Sequence, residues 1–121
     1  MKQTLAQRRA ANALNAARID GMGHGQDDGN ALSGFPMLIK TDGALAAFAF
    51  AVERNPKKEL KQRGAYLIVG AIATHLHSLG IGDAKTADDL VDELSRSDSA
   101  LLRRATAEAL AFLNYLKRFV A

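Results

Sequence analysis

Histidines, clustered carboxylates and a scattered set of arginines and lysines are the side chains of this chain that could do chemistry. His75 and His77 stand two residues apart. On a helix such neighbours point about 200° away from each other, so they cannot share an ion; ligands on one face need a spacing of three or four. No carboxylate lies four residues from either of them. The expectation is one half-buried and one exposed histidine. His24 sits beside Asp27 and Asp28 without a nucleophile or second base to complete a catalytic set, and Asp27-Asp28-Gly29-Asn30 is too short and wrongly spaced for an EF-hand. Asp88, Asp89, Asp92 and Glu93 bring Asp88 and Asp92 to one helical face. Acids in the first turns of a short helix are expected from its dipole alone, so they read as capping and solubility rather than a Mg²⁺ cluster. There is no phosphate-cradle pattern of the G-x-x-x-x-G-K-[ST] or post-strand G-x-G-x-x-G kind. With no cysteine, there is no thiolate ligand or thiol nucleophile. No catalytic residue, metal site or cofactor is expected.

The remaining chemistry is positive charge. The net charge is only +3, but its distribution is uneven. Lys2, Arg8, Arg9 and Arg18 face only Asp20 in the first twenty residues; Lys40, Arg54, Lys57, Lys58, Lys61 and Arg63 crowd residues 40–63; Arg103, Arg104, Lys117 and Arg118 stand against Glu108 in residues 100–121. Acid concentrates between Asp83 and Asp98. A folded chain with a basic side and an acidic side suits a polyanion on one and a basic protein on the other. A solvated mixed-charge surface is the competing reading. Tyr115 lies off the main stripe of its helix beside Lys117 and Arg118, where it could stack a base, pack on a partner or cover a neighbouring helix.

These residues must be positioned by helices. The chain has 121 residues, 48% of them hydrophobic and 6% aromatic, with no Trp. That length suits one domain, and an Ala- and Leu-built core favours closely packed helices. The fold class expected is all-α: a single domain over residues 1–121, built as a bundle of about five helices. The first helix runs from about Thr4 to Ile19, with Ala6, Ala10, Ala13, Leu14 and Ala17 on its apolar face. The glycine-rich segment Gly21 to Asn30 reads as a flexible loop. A second helix, from about 31 to 53, is bent or broken between Pro36 and Gly43. The third runs from Pro56 or Lys57 to Leu79, carries the broadest apolar stripe and is therefore central; Gly80 stops it. Thr86 caps a short helix from Ala87 to Ser95, and Asp98 caps a last one from Ser99 to Phe119. The most apolar runs, 44–52 and 64–73, fall well short of the roughly 20 residues that a membrane helix needs. No membrane partner and a cytoplasmic location are expected.

Two stretches carry more than periodicity. Phe35-Pro36-Met37-Leu38-Ile39-Lys40-Thr41-Asp42-Gly43-Ala44 leads into an alanine-phenylalanine run ending at Phe50, and Thr106-Ala107-Glu108-Ala109 precedes Phe112-Leu113-Asn114-Tyr115-Leu116-Lys117-Arg118-Phe119. With Gln7-Arg8-Arg9-Ala10 in the opening helix, they resemble, in order and across the chain, the small subunit of type III-B (Cmr-module) CRISPR effector complexes. The chain departs from that pattern in Ala44-Leu45 after the central glycine and in Tyr115, where Trp is common. The resemblance implies a non-catalytic helical subunit in antiviral defence, present in several copies. Its partners would be neighbouring copies of itself, the other effector subunits, above all the guide-bearing backbone subunit, and guide and target RNA. RNA cutting would belong to the backbone subunit. Arginine and lysine would neutralise target phosphates without reading bases, since pairing with the guide supplies sequence. The RNA-binding candidates are Arg8, Arg9, Lys40, Arg63, Arg103, Arg104, Lys117 and Arg118.

Other functions set different requirements. A DNA-binding regulator needs a basic recognition helix, whereas the helix before the last one is acidic. A metal-dependent hydrolase needs His and Asp clustered on facing helices. A generic helical adaptor is compatible with the composition.

Overall fold

The computed structural model describes residues 2–23, 31–53 and 63–120. Among these it contains six α-helices: α1 Leu5–Ala17, α2 Ala31–Asp42, α3 Ala44–Glu53, α4 Arg63–Ser78, α5 Ala87–Arg96 and α6 Ser99–Phe119. No strand occurs among the described residues. Of the expected loop from Gly21 to Asn30, residues 24–30, which include His24, lie outside them, and so does the expected start of the third helix at Pro56 or Lys57.

The helix starts follow side-chain chemistry. Thr4 accepts the Gln7 amide at 3.1 Å while the Gln7 side chain accepts the Thr4 amide at 2.8 Å, a reciprocal capping box. Thr86 and Asp98 accept the amides of Asp89 and Leu101 at 3.1 and 2.8 Å, as their types and positions predict.

The expected bent helix is two helices meeting at a single residue, which raises the count from five to six. Pro36 lies inside α2, and the break falls at Gly43 with φ +91°. The Gly43 amide closes the last turn of α2 on the Ile39 carbonyl, and its own carbonyl receives the Ala47 amide that opens α3. Across this corner the Phe35 and Phe48 rings stack, centroids 6.2 Å apart. Both are buried, so the hydrophobic contact fixes the corner that glycine permits.

α4 packs against each of the other five helices, as its broad apolar stripe predicts. Ile68, Val69, Ile72, Ala73 and Leu76 are buried. Its end is a Schellman closure: the Gly80 amide reaches the His77 carbonyl and the Ile81 amide the Leu76 carbonyl, with Gly80 at φ +75°. α6 presents Ala105, Ala109, Phe112, Leu113 and Leu116 to the core, each large side chain contributing about 1.5–3 kcal/mol by its burial. The expected stripe of α1 is displaced, however. Ala13 is buried as expected, but Leu14 is 43% exposed and Ala6 is exposed, whereas Ala16 is buried and Arg9 and Asn12 face inward. The cause is a polar network.

Candidate functional site

That network joins three helices. Glu108 projects from the apolar stripe of α6 and is 7% exposed. Arg9 of α1 donates to it twice, Nε to Oε2 at 2.7 Å and Nη2 to Oε1 at 2.8 Å. His75 of α4 is fully buried, with Nε2 2.9 Å from the same Oε2, and its ring stacks on Phe112 at 4.5 Å. Asn12 Nδ2 lies 2.8 Å from His75 Nδ1 and donates to Ser78 Oγ at 3.0 Å. The neutral imidazole with its proton on Nε2 satisfies both neighbours. Arg8 donates to the carbonyl of Ser78 near the end of α4. Among the described residues no buried side-chain nitrogen or oxygen lacks a partner.

The electrostatics follow from this geometry. Burial, opposed in part by Glu108, pushes the His75 imidazole below its ordinary value. Burial alone would raise the Glu108 carboxyl, but the bonds from Arg9 and His75 outweigh it and hold the group below the ordinary carboxylate value. The bond to Glu108 raises Arg9. Such a network ties α1 to α4 and α6. His75 is thus fully rather than half buried, and its acidic partner comes from another helix; His77 is exposed as expected. Glu108, Asn12 and Ser78 were not sequence candidates. The available signal was Arg9, Asn12, Ala13 and Ala16 at helical spacing, and Glu108 between Ala105 and Ala109.

The sequence-predicted cations distribute as follows. Leu5 and Arg8 lie beside Arg104 and Ala107, and Ala10 beside Ala111 and Asn114, so α1 and α6 run side by side in the same direction. Arg8, Arg9 and Arg104 line one notch at the start of this seam; Arg9 also lines the adjoining groove with Arg118. Arg103, Arg104, Lys117 and Arg118 are exposed on α6. The fourteen-residue spacing returns nearly to the same direction on a helix, so Arg103 with Lys117 and Arg104 with Arg118 form two adjacent rows. Lys40 is exposed in the last turn of α2. The Arg63 side chain lies outside the described residues. Arg9 brings its own counter-charge in Glu108, so its contribution to the surface potential is reduced.

The carboxylates have structural employment on α5. Glu93 accepts the amides of Asp83 and Ala84 at 2.9 and 3.0 Å, Asp88 accepts the Tyr66 hydroxyl at 2.9 Å, and Asp92 pairs with Arg96 at 3.0 Å. Burial, with Asp88 beside it, raises the Tyr66 phenol above its ordinary value. Among the described residues no group of three or more His, Asp or Glu could hold a metal ion, and no helix is long and apolar enough to cross a membrane.

A family model described as CRISPR-associated protein (Cas_Cmr5) matches residues 5–121. No curated protein and no solved structure matches the chain.

Proposed function

The chain belongs to the Cas_Cmr5 family, the small subunits of the type III-B CRISPR complex, and from that premise we propose that it is a non-catalytic subunit that helps hold target RNA through phosphate contacts. It stands beside the guide-bearing backbone subunits and next to further copies of itself. The observation that carries this reading is the pair of exposed cationic rows on α6, Arg103 with Lys117 and Arg104 with Arg118. Arg104 and Arg118 line the seam with the Arg8-bearing α1, while the acidic residues Asp88, Asp89 and Asp92 belong to α5. Flexible cations on a rigid helix neutralise phosphates in any sequence, which is what a subunit needs when base pairing supplies specificity. Arg8, Arg9, Lys40 and Arg63 complete the proposed set.

The test has two parts. The chain should co-purify with the backbone subunit from the same source. In the assembled complex, Arg103→Glu with Lys117→Glu should weaken target RNA binding at least tenfold without loss of assembly. Full RNA affinity in that variant would overturn the phosphate role.

A further inference from the structure

The groove that follows the arginine notch along the α1–α6 seam is more than a cationic surface. Tyr115 and Phe119 line it, one helical turn apart and so on one face of α6. Tyr115 is half buried against the core, which holds its ring, and it lines the groove together with Arg9. Phe119 is 40% exposed, so its ring is open to a ligand in the groove. Arg9, Arg118 and the amide of Asn114 supply the polar lining; among the described residues no carboxylate lines the groove, and Glu108 meets Arg9 from its inner side. The volume is about 600 Å³.

We propose that this groove takes an unpaired base of single-stranded RNA, stacked on Tyr115 and Phe119, with its phosphate on Arg118. The inference rests on the phosphate-contact reading above and adds to it a second class of contact. Aromatic faces accept any base, and a flanking arginine meets the backbone charge, so the pairing is tolerant of sequence. Asn114 offers both a donor and an acceptor to a base edge. A basic peptide fits less well, because among the described residues the lining holds aromatic faces, cations and an amide but no carboxylate to receive it.

The experiment uses the full chain in the reconstituted effector complex, with target RNAs carrying the fluorescent base 2-aminopurine at one position at a time. At least one position should be quenched on binding. Tyr115→Leu should abolish that quenching and weaken RNA binding roughly tenfold, whereas Tyr115→Phe keeps both. Phe119→Ala, at an exposed site, gives the same result in part and serves if Tyr115→Leu fails to fold. Unchanged quenching and affinity within twofold in both Tyr115→Leu and Phe119→Ala would overturn the groove, even with the Arg103 and Lys117 variant still weakened and the phosphate reading intact. Loss of protein co-assembly in Phe119→Ala, with an unchanged melting curve, would overturn it in favour of a protein dock. No RNA affinity contributed by this chain at all would overturn both readings.

Discussion

Arg9 and Glu108, 99 residues apart in the chain, meet in a two-bond ion pair at 2.7 and 2.8 Å on the inner side of the α1–α6 seam. The carboxylate is nearly enclosed, while the guanidinium keeps about a quarter of its side-chain surface in water (24%). The two ends of the pair therefore respond differently to removal. Glu108→Ala leaves a largely enclosed guanidinium and a buried histidine without their acceptor and should cost about 3 kcal/mol. Arg9→Ala should cost less, because Glu108 retains His75. Urea denaturation of both variants gives the comparison, and equal losses would contradict it.

Acid should loosen the fold in two steps. His75 is held below 6.5 in the fold, so the unfolded chain binds more protons as the pH falls past that value. The stability His75 contributes is complete above pH 6.5 and is lost as the pH falls towards its lowered folded value. Glu108 is held below 4.5, so its share is present above that pH and is lost in the lower window. The melting temperature should fall between pH 7.5 and 5.5 and again below 4.5. His75→Gln should flatten the first step alone. Removing Arg9, whose charge disfavours imidazolium, should raise the His75 titration seen by NMR.

Two glycines with positive φ should differ in their tolerance of alanine. Gly43 has open space where a Cβ would stand, so Gly43→Ala meets only the backbone penalty of about 1 kcal/mol. At Gly82 (φ +75°) a Cβ would fall 2.6 Å from Glu93 Oε1, the carboxylate that caps the Asp83 and Ala84 amides. Gly82→Ala should therefore cost about 2 kcal/mol, or more where the cap is lost. Thermal melts of the two variants would reveal the difference.

Salt dependence should separate cations that meet phosphate from those that do not. Arg104→Gln and Arg118→Gln should each reduce the slope of log affinity against log salt by about one in the assembled complex. Lys85→Gln, just before the acidic α5, should leave it unchanged. Identical slopes in all three would count against a phosphate track along α6.

Much of this architecture was legible locally. Thr86 and Asp98 announce helix starts because short oxygen-bearing side chains satisfy amides that a first turn leaves open. Gly80 announces a stop because only glycine takes φ +75° at little cost. The centrality of α4 follows from a stripe too broad for a surface helix. Pro36 and Gly43 bracketed the bend: the helix runs through Pro36 and turns at Gly43, where stacking of Phe35 on Phe48 holds the corner.

Sequence alone determined the helical class, most of the helix ends and the cationic character of α1 and α6, because each depends on neighbours within a few residues. It could not orient α1. Apolar periodicity assigned Leu14 to the core with Ala13, yet Leu14 is exposed, and Arg9 and Asn12 turn inward instead. Only tertiary packing brings Glu108 and His75 within reach of them. A buried polar residue is tolerated when its partners are present, and partners 33 to 99 residues away leave no mark in a local window.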